Sequence, residues 1–240
     1  MTKKVRICAD VHGLVTRSRQ DGFTLAKEAK GRTYLQIIHG SEYNIQLGDM
    51  GWGEDNEIFH NGTVPLDKFK FCGGNHDDYD NPLPHSLGDY GVSELNGVEF
   101  GFVRGEYSVD KAYRVHQGTH KSWWEQEELT ASQSTACYEY FEGLSTQPSL
   151  VLSHGCPHFL LPQVVTNKWK LEPSWTSRLL SAVYGVVRPR LWICGHHHRN
   201  LVLQHEETMF VVLNELCYVD LAIVDGKYVL TGDVELRVKK

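Results

Sequence analysis

The chain has 240 residues, of which 41% are hydrophobic and 22% charged, and its formal net charge is −6 at pH 7. This composition is typical of a globular protein with a real core. No linker, repeat or low-complexity tract divides the sequence, so we expect a single domain over residues 1–240. The negative charge argues against general affinity for long nucleic acid or anionic membranes. A phosphate-binding site would need local positive charge, which bound metal ions can supply.

The start of the chain and its cysteines bear on the cellular compartment. The opening MTKKVRICADVHG does not read as a secretory signal, because its short apolar run is broken at Asp10. No apolar stretch approaches the roughly 20 residues needed to span a bilayer. The six cysteines are scattered without C-x-x-C pairs, which indicates reduced, mostly buried thiols. We therefore expect a cytoplasmic protein, acting in the host cytoplasm if it is phage-encoded, with no membrane association.

Short apolar runs predict the strands. In chain order these strands are residues 5–9, 43–47, 69–72, 150–152 and 191–194. A hairpin with a tight turn at Asn96-Gly97 is predicted for residues 91–104. The tail, residues 201–238, alternates strand patterns around a similar turn at Asp225-Gly226.

Three segments have the periodicity of helices. The first is residues 23–39, and the second begins at Thr130 in a capping-box pattern. The third, about residues 174–187, places Trp175, Leu179 and Val183 on one apolar face. Helices between the early strands and antiparallel strands at the end predict an α/β protein with a mixed sheet or two stacked sheets.

Five of the predicted strands end in a polar cluster that contains or adjoins glycine. The clusters are Asp10-Val11-His12-Gly13, Gly48-Asp49, Gly74-Asn75-His76-Asp77, Ser153-His154-Gly155 and Gly195-His196-His197-His198. Ligand sites in open α/β sheets lie just beyond the carboxyl ends of strands, so the five clusters predict one site. Each motif alone is a weak signal, but all five in this order are hard to obtain by chance.

The spacing within the clusters predicts which side chains lie together. Side chains two residues apart in an extended segment face the same way. Asp10 should therefore lie beside His12. In the same way His196 should lie beside His198, with His197 pointing elsewhere.

The chemical types of the side chains indicate a reactive metal site. Carboxylate, imidazole and amide oxygen without thiolate suit manganese, iron or zinc better than a structural zinc. Asp49 is placed to bridge two cations about 3.5–4 Å apart, an arrangement that activates water for attack on phosphate esters.

Together these motifs, which span residues 10–198, resemble those of the calcineurin-like metallophosphoesterase superfamily. The run from Val103 to Asp110 and the later Trp123-Trp124-Glu125 are similar to its small bacterial and bacteriophage members. The resemblance implies a four-layer α-β-β-α sandwich with two mixed β-sheets and a dimetal site at strand C-terminal ends. It also implies two divalent ions, manganese first, with iron, zinc or nickel as alternatives. Their implied ligands are Asp10, His12 and His198 for one ion, Asn75, His154 and His196 for the other, and Asp49 for both.

The same resemblance implies roles for neighbouring residues. His76 would contact the phosphate and protonate or stabilise the leaving oxygen, with Asp77 orienting it. Asn75 would also lie against the substrate. Arg104, which closes a strand, and Arg199, which follows the last ligand, are candidates for gripping phosphate. An exposed arginine with a purely local ion pair is the alternative for both.

A phosphate ester, possibly a nucleotide, is the expected substrate, and phosphodiesters are favoured. The segment after Asp49 lacks the Asp-Arg pair of serine/threonine phosphatases, which demotes a protein phosphatase. Few cations are evident for gripping the dianion of a monoester. A phosphomonoesterase and a non-catalytic scaffold that keeps the fold remain the alternatives. Trp123-Trp124 would either stack on a nucleobase or cap a core beneath a loop.

Overall fold

A computed structural model of the protein describes residues 3–12, 33–51, 56–117, 123–165 and 173–232. Its strands are β1 (Lys3–Ala9), β2 (Asn44–Leu47), β3 (Phe69–Cys72), β4 (Tyr90–Leu95), β5 (Val98–Val103), β6 (Leu150–Ser153), β7 (Leu191–Cys194), β8 (Leu201–His205), β9 (Thr208–Val212), β10 (Tyr218–Val224) and β11 (Lys227–Gly232). Its helices are α1 (Tyr34–His39), α2 (Glu57–His60), α3 (Lys111–Gln117), α4 (Ala131–Glu142), α5 (Leu161–Val164) and α6 (Trp175–Val187). Short 3₁₀ turns lie at Glu125–Glu127 and His158–Leu160.

The strands form two mixed sheets. One has the order β11-β10-β1-β2-β3, and the other has the order β4-β5-β6-β7-β9-β8. The strands β1, β2 and β3 run parallel in the first sheet. In the second sheet β5, β6, β7 and β9 run parallel. Because parallel strands point the same way, their carboxyl ends meet along one edge of each sheet, where the loops of the predicted site begin.

The two sheets pack face to face, and helices cover their outer faces. In β1, Ile7 enters the core between the sheets, whereas Cys8 packs with residues of α1 and α2. In β7, Ile193 belongs to the same central core, whereas Trp192 packs with residues of α4 and α6. This two-residue alternation places an apolar face on both sides of each sheet. The predicted four-layer α-β-β-α sandwich is therefore confirmed.

The helices agree with the sequence predictions in part. Of the helix predicted for residues 23–39, the structure describes α1, and residues 13–32 lie outside the described part. The Thr130 side chain accepts a hydrogen bond from the main chain of Gln133, as a capping box requires. On α6 the prediction for Trp175 is wrong, because its side chain is 59% exposed. The first turn of α6 buries Thr176 and Ser177 instead.

Two further observations concern the whole described chain. None of its helices has the length and apolar character that crossing a membrane requires. All six cysteines are buried, and none of them forms a disulfide.

Candidate metal centre

Left-handed backbone conformations concentrate in the loops that carry the predicted ligands. A φ near +50° costs a non-glycine residue about 1–2 kcal/mol. Ten non-glycine residues of the described chain have positive φ, and half of them are predicted ligands. These five are Asp10 (φ 51°), His12 (φ 51°), Asp49 (φ 50°), His196 (φ 62°) and His198 (φ 48°). Strain of this kind persists where the surrounding structure enforces it, and it clusters at functional sites.

The left-handed residues also change the direction of a neighbouring side chain. The segment from His196 to His198 is not extended, so alternation along a strand does not apply to it. His197 lines the same cavity as His196 and His198, and its ring centroid lies 4.9 Å from that of His196. The prediction that His197 points elsewhere is therefore wrong.

The first group of possible ligands joins the loop after β1 to the loop after β7. Ligand atoms of Asp10, His12 and His198 all lie within 4.8 Å of one another. His12 Nε2 is 3.0 Å from His198 Nε2, and the latter is 3.8 Å from Asp10 Oδ1. The main-chain N–H of His196 donates to both carboxylate oxygens of Asp10, at 3.1 and 3.0 Å. These hydrogen bonds fix the carboxylate relative to the histidine loop.

The second group joins the loops after β2, β3, β6 and β7. Ligand atoms of Asp49, His154 and His196 lie within 4.8 Å of one another. Asn75 Oδ1 points into this group, 2.8 Å from His154 Nε2 and 2.9 Å from His196 Nδ1. Its orientation is set from behind, because Asn75 Nδ2 donates to the Ser108 hydroxyl at 2.9 Å. The amide therefore turns its oxygen toward the histidines.

Asp49 lies between the two groups and faces both. Its Oδ2 is 3.7 Å from His12 Nε2 in the first group, and its Oδ1 is 3.3 Å from His154 Nε2 in the second. The carboxylate is 1% exposed, so bulk water does not screen it. This is the placement that a carboxylate shared by two cations requires.

The chemistry around His154 fits a cation. Burial lowers the pKa of His154 to about 4, so the imidazole is neutral at pH 7 and carries one N–H. We assign that hydrogen to Nδ1, because Nδ1 is 2.9 Å from the carbonyl of Leu47, which can only accept. Nε2 is then an acceptor, and it faces the oxygens of Asn75 and Asp49. Three converging acceptors suit a metal ion.

The electrostatics of the first group point the same way. Burial raises the pKa of Asp10 well above its usual value, and the nearby Asp49 raises it further. Burial also lowers the pKa of His12 well below its usual value, and His198 adds to this effect. A divalent cation stabilises an ionised carboxylate and a neutral imidazole at once. Both residues therefore gain from binding one.

His76 lies beside the groups without belonging to either. Its ring lines the cavity, and its centroid is 5.7 Å from that of His12. Its main-chain N–H donates to Asp49 Oδ1 at 2.9 Å. Its side chain is buried, and its Nδ1 has no hydrogen-bond partner among the described residues. The imidazole is thus placed next to the predicted bridging carboxylate, at the wall of the cavity.

Asp77 does not orient His76, contrary to the sequence prediction. Its Oδ2 accepts hydrogen bonds from the main-chain N–H groups of Asp49 and Gly74, at 2.8 and 2.5 Å. Its Oδ1 accepts from Gly51 N at 3.2 Å. These three main-chain N–H groups belong to two adjacent loops and need an acceptor, and they orient the Asp77 carboxylate toward themselves. Asp77 therefore joins the loops after β2 and β3.

Arg104 is also placed differently from the prediction. Its Nε donates to Asp89 at 2.6 Å, and its guanidinium lies 4.4 Å from the centre of the Tyr79 ring. The side chain is 6% exposed and is not part of the cavity wall, so these contacts hold it away from the cavity. Arg199 does line the cavity, where its Nη1 donates to the carbonyl of Val164 at 3.0 Å.

Sequence reasoning missed Arg114 on α3. Arg114 lines the cavity, and its Nε donates to Asp110 Oδ2 at 2.7 Å. Burial lowers the pKa of His76 and raises the pKa of Asp49. The positive charge of Arg114 lowers both pKa values. The signal in the sequence was the i, i+4 spacing of Asp110 and Arg114 directly after the 103–110 run. Arg114 therefore lines the cavity, and Arg104 does not.

The two groups open onto a cavity of about 500 Å³. Part of its wall is apolar, from residues of α5 and the loop before α3. Trp123 and Trp124 are buried elsewhere and do not line it, so the interpretation that they cap a core is the one the structure favours. Cys156 is also buried, with its Sγ 3.1 Å from His197 Nε2.

Comparison with solved structures identifies the fold. A proposed 5′-nucleotidase from Staphylococcus aureus, in complex with alpha-ketoglutarate, matches with a TM-score of 0.52 and 14% identity over 98% of this chain and 53% of that chain. The chain has the fold of the calcineurin-like metallophosphoesterases. It spans about half the length of that nucleotidase, and at this identity the likeness shows the fold alone.

Two further solved structures match this chain with lower TM-scores. A predicted phosphoesterase from Streptococcus pneumoniae TIGR4 matches with a TM-score of 0.41 and 8% identity over 100% of this chain and 97% of that chain. Vps29 from Entamoeba histolytica, complexed with zinc, matches with a TM-score of 0.39 and 10% identity over 96% of this chain and 98% of that chain. No protein-family model matches the sequence, and a search of the curated proteins finds no match.

Proposed function

We propose that the protein is a phosphoesterase that depends on two divalent metal ions. The observation that carries this proposal is the position of Asp49, whose two carboxylate oxygens face two separate groups of ligand atoms. The left-handed φ of Asp49 supports it, because a strained ligand needs a compensating interaction. The phosphoesterase fold supports it as well.

Seven residues would hold the two ions. When bound, two divalent ions would lower the pKa of a coordinated water molecule and neutralise the oxygens of a phosphate ester. Manganese is the metal that we favour. Iron, zinc or nickel are alternatives, because oxygen and imidazole ligands accept all of these metals. The seven residues are Asp10, His12 and His198 at one position, Asn75, His154 and His196 at the other, and Asp49 shared by both.

Side chains outside the two groups would act on the substrate. His76 would donate to the leaving oxygen of the ester, since its side chain lines the cavity beside Asp49. Arg114 would lie against the phosphate oxygens, held in place by Asp110. Arg199 would contribute a second positive charge to the same cavity.

Phosphodiesters of the nucleotide type are the substrates that we favour. The ion pair with Asp110 offsets much of the positive charge of Arg114, which suits the single charge of a diester better than the dianion of a monoester. A phosphomonoesterase is the second candidate, because the Staphylococcus aureus structure is described as a 5′-nucleotidase. The buried, disulfide-free cysteines support action in the cytoplasm.

A comparison of two chromogenic substrates tests the proposal. The protein would be reconstituted with manganese and supplied with bis-p-nitrophenyl phosphate or p-nitrophenyl phosphate, with Asp49→Asn as the blank. Turnover of the diester above the blank is the expected result. A preference for the monoester would favour the second candidate. Absence of turnover with both substrates, while two metal ions are bound, would favour a scaffold that keeps the fold without catalysis.

A further inference from the structure

We propose that Glu127 is a positioning residue for the candidate metal centre, and that it acts through Ser108 on the ligand Asn75. Glu127 belongs to the 3₁₀ turn at Glu125–Glu127 and does not line the cavity. It would therefore touch neither the ions nor the substrate. This inference rests on the proposed function, because Asn75 is one of the seven residues that would hold the ions.

Two hydrogen bonds in series connect Glu127 to Asn75. Asn75 Nδ2 donates to the Ser108 hydroxyl at 2.9 Å, and the main-chain N–H of Ser108 donates to Glu127 Oε2 at 3.1 Å. Because the hydroxyl oxygen accepts from Asn75, its own hydrogen can be donated to the Glu127 carboxylate. The carboxylate thus holds Ser108, and Ser108 holds the amide that turns its oxygen toward the histidines.

The main chain makes a parallel connection. The loop after β5 lies between the loop that carries Asn75 and the 3₁₀ turn, because Gly105 N donates to the carbonyl of Gly73 at 2.8 Å and Glu106 N donates to the carbonyl of Glu127 at 3.1 Å. A Cβ at Gly105, whose φ is +84°, would collide with the carbonyl oxygen of Glu127. The sequence runs 103–110 and 123–129, to which the proposed function gives no joint role, therefore meet behind the ligand Asn75.

The environment of Glu127 is costly for a carboxylate that serves only the fold. The residue is 1% exposed, and its partner Lys111 lies 3.8 Å from Oε1 with a side chain that is 40% exposed. Burial raises the pKa of Glu127, and hydrogen bonds from the side chain and main chain of Ser108 lower it only in part. An apolar side chain would serve packing at a smaller cost. Accepting from Ser108, in contrast, requires an oxygen at this place.

A pair of conservative variants separates position from charge. Glu127→Asp keeps the charge but withdraws the carboxylate by about 1.5 Å, out of hydrogen-bond reach of Ser108. Glu127→Gln loses the charge but keeps the length of the side chain and one oxygen that can accept. Metal-free protein would be titrated with manganese by equilibrium dialysis, which gives two stepwise dissociation constants.

The two variants should differ in metal affinity. In Glu127→Asp one of the two dissociation constants should rise at least tenfold, within the range of about 10- to 100-fold for contacts that orient a ligand. In Glu127→Gln both constants should stay near those of the wild type. The reverse result, with a loss in Glu127→Gln alone, would show that charge rather than position matters and would overturn the inference.

A neighbouring glutamate and a double variant separate positioning from general damage. Glu128→Asp is the matched control, because Glu128 Oε1 accepts from Thr176 N in α6 at 2.8 Å and Glu128 belongs to the same stretch of chain. It should leave both constants unchanged, and a loss equal to that of Glu127→Asp would overturn the inference. The double variant Glu127→Asp/Ser108→Ala should bind manganese no more weakly than Ser108→Ala alone, because the effect passes through the hydroxyl. Losses that multiply would also overturn it.

The failures of the two proposals are distinguishable. If the wild type bound two ions without hydrolysing a phosphate ester, the phosphoesterase proposal would be overturned. A rise in one dissociation constant confined to Glu127→Asp would still support the positioning role. If the wild type hydrolysed the diester while Glu127→Asp kept both wild-type constants, the positioning role would be overturned and the phosphoesterase proposal would stand.

Discussion

A methyl group at position 74 tests whether the placement of the candidate ligands governs activity. Gly74 lies between two of them. A Cβ there would collide with Asp49 Oδ1 and would lie 2.6 Å from Asp49 N and 2.8 Å from His154 Cε1. Main-chain nitrogen and a buried ring cannot swing aside as a flexible side chain can. Gly74→Ala must therefore move Asp49, His154 or both.

The size of the effect follows from these distances. Ordinary contact begins at 3.4 Å, so relief of the 2.6 Å approach requires a shift of 3.4 − 2.6 = 0.8 Å. Overpacking of this kind costs about 1–3 kcal/mol of stability. A misplacement of about 1 Å at a reacting centre costs about 100-fold in rate. We expect Gly74→Ala to fold, to unfold about 1–3 kcal/mol more easily and to hydrolyse the diester about 100-fold more slowly.

Three measurements check this prediction: the free energy of unfolding in denaturant, the metal ions bound per chain after dialysis, and the rate of diester hydrolysis. Gly185→Ala is the control, because Gly185 lies in α6 and, apart from its chain neighbours and the nearby backbone of the helix itself, no described atom lies within 4 Å of its Cβ position. That substitution should stabilise the protein by about 0.5–1 kcal/mol and leave metal binding and rate unchanged. If Gly74→Ala kept two metal ions and the wild-type rate, the reasoning from ligand placement would be refuted.

Three further predictions concern single contacts. Ser108→Ala removes the hydroxyl that orients Asn75. The affinity for metal should therefore fall about 10- to 100-fold in an equilibrium metal titration. An unchanged affinity would contradict the role of this contact. Arg114→Ala should raise KM for the diester roughly tenfold and weaken inhibition by inorganic phosphate, whereas equal values in the variant would exclude a phosphate contact. Burial alone would raise the pKa of Asp220, but hydrogen bonds, chiefly from Arg6, outweigh it and lower the pKa. The ion pair should therefore stabilise the fold above the unfolded pKa of about 3.9, and its contribution should vanish as pH falls through the lower folded pKa. The free energy of unfolding of Asp220→Asn should be lower than that of the wild type at pH 6. The two values should converge near pH 2.

The sequence predicted the strands and the convergence of the ligands well. Apolar runs such as residues 69–72 are buried on one or both faces of a sheet, and this burial requires the hydrophobic residues by which we recognised them. The candidate ligands converge because parallel strands bring their carboxyl ends to one edge, a consequence of topology that does not depend on the details of the loops.

What the sequence could not predict depends on loop conformation. The left-handed φ angles at His196 and His198 turn His197 into the cavity, and no periodic pattern signals them. Arg104 and Arg114 have the same side chain, and only the contacts that the fold gives them distinguish the two. Asp89 and Tyr79 hold the first in a buried contact, whereas α3 carries the second to the cavity. Choosing between them required the positions of loops that lie far apart in sequence.

A titration of metal-free protein with manganese, with bound metal and bis-p-nitrophenyl phosphate hydrolysis measured on the same samples, tests the central claim most directly. The account predicts two ions per chain in the wild type, activity that curves upward as the second ion binds, and a plateau at two. Asp49→Asn should bind less metal and stay inactive. A plateau at one ion per chain, or full occupancy of two positions without hydrolysis, would contradict the account.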